Sequence, residues 1–305
     1  SHRYYVDGTP RVADAWLGAG SGWKTMAIGT TGAGGKSVFA LDITDPSNMS
    51  ASNVKWELTH PKMGYTIGQA SLVALPNEHF GVIVTSGYHD TAPTDGRVWL
   101  LDAATGSIIK EFTLPTTGGL GTPLAADLDY DSVADRIYVG DTLGNLWRID
   151  LPGNDTSQWG IPASLSSGPL FVAKDASGNR QAITAPLSSA FNESKQHMVF
   201  FGTGSFYQNG DNEVGSTPKV DTFYGIIDGG SLINGRTNLL QQKIIKEGTT
   251  ADGNLARAIT QNILTSQPGW YLDLAWKTAD GGPGAQGERV VARATLRDDR
   301  VVFTT

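Results

Sequence analysis

Short apolar runs separated by glycine-containing turns recur along the chain. Each copy contains an apolar strand, a turn with glycine and a second strand that ends in an apolar residue followed by aspartate. The copies lie at 26–42, 82–102 and 136–150, with a looser fourth copy at 198–228. In the first three copies an aromatic residue stands three positions before the closing aspartate. In the fourth copy Tyr224 stands one position early, and we expect a β-bulge at Gly225 to absorb the difference. This repetition predicts β-hairpins built on one plan.

A shorter strand rich in small residues precedes each hairpin. These strands lie at 9–16, 68–76, 121–129 and 183–191. Their starts are 53 to 62 residues apart, which suits one four-stranded propeller blade per repeat. Small side chains also fit the crowded axis of a propeller, where the inner strands meet. The predicted fold class is therefore all-β, a β-propeller with quinoprotein-like blades.

The repeats predict a partial or modified ring of about four to five blades. We expect a fifth inner strand to start near Glu288, after an insertion at about 229–287. On this interpretation residues 1–305 form a single β-propeller domain or a fragment of one. A β-sandwich with long loops stays open as an alternative, because strand alternation alone does not separate the two folds.

One loop carries regularly spaced carboxylates. In DLDYDSVAD, residues 127–135, acids stand at loop positions 1, 3, 5 and 9, and the carbonyl at position 7 can turn inward. This is the ligand order of an EF-hand-like calcium loop, although position 6 is Ser132 instead of glycine and position 12 is Tyr138 instead of glutamate. The segment predicts a calcium (Ca2+) site on a β-hairpin, with an acidic solvated turn as the alternative. The predicted metal ligands are the side chains of Asp127, Asp129, Asp131 and Asp135 and the carbonyl of Val133.

Composition narrows the functional classes. The chain has 38 glycines and 14 prolines but only 17% charged residues, which favours short elements joined by tight turns. Its net charge is −7 and it has no basic run, so we expect no nucleic-acid partner. It has no cysteine, and no apolar stretch of about 18 residues predicts a membrane-spanning segment.

No segment of the sequence has the residue spacing that a catalytic motif requires. Residues 29–37 resemble a phosphate-binding loop, but Thr30 replaces its first glycine and a strand pattern follows, so we expect a hairpin turn. The histidines are scattered without ligand spacing, and the eight tryptophans are expected mainly in the core or at blade edges. We therefore predict no catalytic residues and a role in binding rather than catalysis.

Five segments together resemble a known family. They are 38–46, 127–151, 198–204, 269–274 and 287–305. The most specific feature is the acidic loop followed by YVGDTLGNLWRIDL. On these segments the chain resembles the C-terminal propeller of the PilC/PilY family of type IV pilus tip-associated biogenesis factors and adhesins.

This resemblance implies an exported protein that passes through the periplasm to the pilus tip or the outer-membrane surface. It implies that calcium at the matching loop controls pilus biogenesis, twitching motility and cell adhesion. The implied partners are type IV pilus subunits or minor pilins, and a host or abiotic surface.

Two other functions stay open. Residues 101–112 resemble repeats of quinone (PQQ)-dependent dehydrogenases, which are also propellers. A third hypothesis is a scaffold propeller in which calcium is only a structural staple. Turnover of alcohols or sugars on addition of the quinone would favour the dehydrogenase.

Overall fold

The computed structural model describes residues 4–89, 91, 95–233, 235–298 and 300–305. Over these residues the protein consists of β-strands joined by loops and short 3-10 helices. The 3-10 helices are Pro46–Asn48, Ala51–Asn53, Thr156–Gln158, Ala163–Leu165, Arg236–Asn238 and Thr278–Asp280. In the part of the chain that is described, no helix has the length and apolar character needed to cross a membrane.

The chain forms two compact units, which are residues 1–141 with 147–169 (unit 1) and residues 142–146 with 170–305 (unit 2). In unit 1 the first sheet contains β1 (Arg11–Trp16), β2 (Trp23–Thr30), β3 (Val38–Asp42) and β4 (Val54–Leu58). The second contains β5 (Ser71–Ala74), β6 (Phe80–Thr85), β7 (Asp95–Asp102) and β8 (Ile108–Pro115). A third contains β9 (Leu124–Ala126), β10 (Arg136–Gly140) and residues 147–150 of β11 (Asn145–Asp150). The first two sheets are antiparallel meanders in chain order, which confirms the predicted blade plan.

The apolar cores of unit 1 lie between successive sheets. One core packs Val82 and Val84 of β6 with Trp99 against the first sheet. The other packs Ile83 of the same strand with Trp147 of the third sheet. Because successive side chains of a strand point to opposite faces, β6 contributes to both cores. Its unbroken apolar run therefore reflects burial on both faces of the sheet.

Unit 2 is built around a five-stranded sheet. The strands of unit 2 after β11 are β12 (Phe171–Val172), β13 (Ser188–Phe191), β14 (His197–Gly202), β15 (Thr222–Ile227), β16 (Leu240–Gln242), β17 (Ile244–Thr249), β18 (Leu255–Ile259), β19 (Gly269–Asp273), β20 (Ala275–Trp276), β21 (Gly284–Ala285), β22 (Thr295–Arg297) and β23 (Arg300–Val302). The large sheet has the order β13-β14-β15-β19-β16, in which only β16 is parallel to its neighbour. β12 pairs with the first two residues of β11, and β17-β18, β20-β21 and β22-β23 are separate hairpins. Residues 228–268 lie between the adjacent strands β15 and β19.

The predicted bulge at Gly225 is wrong. β14 and β15 pair in unbroken register, with Gly225 opposite Phe200. Gly225 instead faces Trp270 of β19, and a Cβ at this position would lie only 2.6 Å from the indole ring. Glycine is required here because the tryptophan ring occupies the space of a side chain.

The predicted fifth inner strand near Glu288 is also wrong, because the next strand, β22, starts only at Thr295. The preceding segment bonds to the large sheet of unit 2 at isolated points: the Val290 N–H donates to the Thr203 carbonyl at 2.9 Å, and the Ser188 hydroxyl of β13 donates to the Ala294 carbonyl at 2.6 Å. Val290 is fully buried, and a Cβ at Gly202 would overlap it. Burial of this side chain, rather than a ladder of backbone hydrogen bonds, fixes the segment.

The glycine-rich segment 29–37 is a hairpin turn between β2 and β3, as predicted. The Thr31 N–H donates to the Ser37 carbonyl at 3.2 Å, and the Gly34 N–H donates to the Thr31 carbonyl at 3.0 Å. No helix follows the turn, so it lacks the helix N-terminus on which phosphate-binding loops depend.

Candidate metal centre

The acidic loop, residues 127–135, connects β9 to β10 in unit 1. At its base the Asp135 N–H donates to the Ala126 carbonyl at 2.9 Å. The Ala134 N–H donates to the carbonyl of Ala74, at the end of β5, at 3.0 Å, and Val133 forms a parallel bridge with the same residue. The loop is therefore held both by its own sheet and by the neighbouring one.

Three of the predicted ligands converge. Asp127, Asp129 and Asp135 each place one carboxylate oxygen so that all three oxygens lie within 4.8 Å of one another. Among the described residues, this is the one group of three or more His, Cys, Asp or Glu side chains close enough to share a metal ion. Asp131 lies outside the group, and its Oδ1 accepts a hydrogen bond from the Val133 N–H at 2.8 Å.

The backbone of the loop curls around these carboxylates. Tyr130 and Ser132 adopt left-handed conformations, with φ values of 66° and 72°. Their N–H groups donate to the two oxygens of Asp127 at 2.7 and 2.8 Å. Since each carboxylate oxygen carries two lone pairs, these bonds leave acceptor capacity for a cation. The loop thus positions Asp127 without consuming its ability to bind a metal.

The surroundings of Asp135 disfavour the ionised form of this carboxylate. Burial raises the pKa of Asp135 above its ordinary value, and the charges of its aspartate neighbours raise it further. The Leu128 N–H donates to Asp135 at 2.6 Å and opposes this rise. An opposite charge within about 4–6 Å would favour the ionised form. The donor set contains oxygen alone, so it fits a hard cation such as calcium.

Sequence reasoning missed the basic side chains beside the loop. Arg148 donates from Nε and Nη2 to the two oxygens of Asp150 at 2.6 and 2.7 Å, and Arg136 Nε lies 3.5 Å from the same carboxylate. Asp150 closes the third sequence repeat, and this position could have indicated that Asp150 pairs with nearby basic side chains. An open recess of about 550 Å³ is lined by Asp129, Asp131, Val133, Asp135, Arg136 and Asp150.

Replacing Ser132 tests the turn of the loop. We expect Ser132→Gly to bind calcium at least as tightly as the native loop, because glycine adopts the observed φ of 72° without steric cost. Ser132→Val should bind calcium more weakly, since a β-branched residue is strained at positive φ. Calcium titration of both variants and the native protein gives the order. Equal affinity in all three would mean that the conformation at Ser132 does not matter for binding.

Repeated antiparallel sheets with apolar cores between them define the chain as a β-propeller protein with a candidate site for a divalent cation. The family model of the PilY1 beta-propeller domain matches residues 1–255. The chain belongs to this PilY1 β-propeller family.

Curated relatives and a crystal structure agree with this assignment. A type IV pilus biogenesis factor PilY1 homologue of Xylella fastidiosa is 36% identical over 100% of this chain and 21% of its own length. The type IV pilus biogenesis factor PilY1 of Pseudomonas aeruginosa is 34% identical over 90% of this chain and 26% of its own length. The crystal structure of the P. aeruginosa PilY1 C-terminal domain superposes with a TM-score of 0.82 and 32% identity, over 95% of this chain and 65% of that one. The chain thus spans about a fifth to a quarter of these curated relatives.

Proposed function

We propose that this chain is the calcium-binding propeller module of a type IV pilus biogenesis and adhesion protein, and that it acts by calcium-dependent protein binding. The observation that carries the proposal is the convergence of Asp127, Asp129 and Asp135 in a chain of the PilY1 family. Both relatives are named as pilus biogenesis factors, which supports binding rather than catalysis. The module then works outside the cell, at the pilus tip or outer-membrane surface, with pilus subunits or minor pilins as partners and a host or abiotic surface as a further target.

The proposed ligands are those predicted from the sequence. Asp127, Asp129 and Asp135 would hold the ion through side-chain oxygens. Asp131 would join them by exchanging its hydrogen bond from Val133 for the metal, and the Val133 carbonyl would complete the protein ligands. Position 12 lacks a bidentate glutamate, so we expect an affinity nearer the weaker extracellular range than that of cytosolic buffers. We further propose that residues 1–305 belong to one propeller domain or a fragment of one, with an insertion at about 229–287.

Calcium would change what a partner meets at this loop. A bound ion cancels two of the four negative charges and fixes nine residues. A partner that binds the filled and empty loops with different affinity would then respond to calcium, whereas a partner without such a difference would not. This distinguishes a switch from a permanent staple.

The proposal is tested in a piliated bacterium that expresses the full-length protein. We expect Asp127→Asn to reduce surface pili or twitching while the protein still accumulates, because the loop loses charge and a ligand oxygen but keeps one of the two backbone hydrogen bonds at this position. Asp252→Asn serves as the matched control, since Asp252 is an exposed aspartate in unit 2, and it should leave both readouts unchanged.

Immunoblots of the envelope separate the alternatives. Normal protein abundance with normal pili and twitching would overturn the calcium switch. Disappearance of the variant from the envelope would also overturn it and favour the structural staple.

A further inference from the structure

The turns between the first two strands of each sheet in unit 1 are neighbours. Trp16 and Trp23 face each other across the β1–β2 turn, with ring centroids 6.1 Å apart. Trp23 also packs edge-on against Phe80, the first residue of β6, at 5.4 Å. On the other side, Ala74 at the end of β5 bonds to Ala134 of the acidic loop. We call these three turns, residues 16–23, 75–80 and 127–135, the docking face.

The docking face exposes large aromatic side chains. The exposed fraction is 61% for Trp23, 40% for Trp16 and 76% for Tyr130. Tyr130 stands between two predicted calcium ligands and adopts a left-handed conformation, which is strained for a bulky residue and typical of binding loops. Trp and Tyr are the residue types enriched at binding hot spots. These side chains are candidates for anchors because solvent reaches them.

Negative charge is concentrated around the same face. In an antiparallel meander, the connection from the third to the fourth strand lies at the same end as the turn from the first to the second. The aspartates that close the sequence repeats, Asp42, Asp102 and Asp150, end the third strands there. With three residues of each flanking strand included, the segments at this end of unit 1 are 14–25, 40–56, 72–82, 100–110, 124–138 and 148–169. Together they contain eleven Asp or Glu and five Lys or Arg, a net charge of −6, against −7 for the whole chain.

This asymmetry leaves the remainder of the chain close to neutral. One bound calcium ion would change the net charge of this end only from −6 to −4. Local basic groups are already engaged, since Lys24 lies 3.2 Å from Asp42 and Arg148 lies 2.6 Å from Asp150. The end therefore stays acidic in either calcium state and attracts cationic surfaces.

We infer that the docking face binds a protein surface rich in lysine and arginine, with Trp23 and Tyr130 as its anchors. Guanidinium and ammonium groups bind the faces of Trp and Tyr rings, and the surrounding carboxylates steer them there. The same charge repels nucleic acids and anionic lipid headgroups, and it adds nothing to the binding of a neutral glycan. A calcium ion bound in the loop would also hold Tyr130 in place, and this part of the inference rests on the proposed function. The negative charge of this end and the exposure of Trp16 and Trp23 do not depend on calcium.

Fluorescence anisotropy with labelled octa-arginine tests the inference at physiological ionic strength. We expect the native protein to bind this peptide and not octa-glutamate. Trp23→Ala and Tyr130→Ala should each weaken octa-arginine binding about tenfold, as expected for hot-spot residues. Phe206→Ala, which removes an aromatic side chain of unit 2 that is also 61% exposed, should leave the binding unchanged. Thermal melts establish that the three variants fold.

The outcomes are distinct. Absence of octa-arginine binding, or equal binding by the native protein and Trp23→Ala, overturns the inference. Binding of cellohexaose that depends on Trp23, without binding of octa-arginine, also overturns it and identifies a glycan site. Calcium titration of the same samples examines the proposed function separately: a protein that binds octa-arginine through Trp23 but does not bind calcium keeps the docking face and refutes the calcium module.

Discussion

Arg236→Met should lower the free energy of unfolding of the protein by about 3–5 kcal/mol, because it leaves a buried carboxylate without its main partner. Arg236 and Asp273 are 9% and 4% exposed, and Arg236 Nη2 donates to Asp273 Oδ1 at 2.6 Å. The guanidinium also donates to the Lys174 carbonyl at 2.9 Å and stacks 4.0 Å from the centre of the Tyr271 ring. Lys277, 3.3 Å from Asp273, compensates in part, so we expect the lower end of the range.

Chemical denaturation of three variants checks this expectation. Arg236→Lys keeps the positive charge but loses the planar guanidinium group with its several N–H donors. Its free energy of unfolding should therefore fall less than that of Arg236→Met. Arg297→Met removes an exposed arginine 3.6 Å from Asp298 and should cause no measurable change. If Arg236→Met were as stable as Arg297→Met, the ion pair would not support the fold of unit 2.

Calcium should raise the free energy of unfolding by about 2.7 kcal/mol when its free concentration is one hundred times the dissociation constant. The physical reason is that the native loop gathers Asp127, Asp129 and Asp135 within 4.8 Å, whereas the unfolded chain does not. Asp127→Asn should lose about half of this gain or more, since a tenfold weaker site retains about 1.4 kcal/mol at the same calcium concentration. Asparagine still accepts one hydrogen bond from the loop but lacks the charge and one ligand oxygen.

Thermal melts with calcium and with chelator measure this gain. The exposed Asp252 again supplies the control, because Asp252→Asn should keep the full shift of the melting temperature. Identical melting temperatures with and without calcium in the native protein would mean that the loop is an ordinary acidic turn.

The strands of the first three repeats could be predicted because their signals are local. Alternation, glycine turns and the closing aspartates Asp42, Asp102 and Asp150 all lie within one hairpin each. The continuous apolar run of β6 is also readable, since burial on both faces removes polar positions. These features depend on neighbours in sequence, so the chain alone reports them.

The errors in unit 2 arise from contacts between residues distant in sequence. Gly225 looked like a bulge, but its cause is Trp270, which lies 45 residues further along and occupies the space above it. Val290 looked like part of a strand, but its burial against Gly202 replaces strand pairing. No local pattern encodes either contact.

The sequence predicts which residues belong to the candidate site but not which of their side chains converge. The alternation of aspartates identified the loop, whereas the hydrogen bond from Val133 that holds Asp131 outside the converging group depends on backbone angles. The exposure of Trp16 and Trp23 was missed for a related reason, because tryptophan in a strand is most often buried. Their positions at a turn mouth place both rings partly in solvent.

Isothermal titration of calcium into the native protein and into Asp127→Asn tests the central claim most directly. We predict one calcium ion per chain for the native protein and a loss of at least about tenfold in affinity for Asp127→Asn, since even the residues that support metal ligands change affinity by roughly 10–100-fold. Absence of binding heat in the native protein under conditions where the protein is folded, or equal affinity in the two proteins, would contradict the assignment of calcium to this loop.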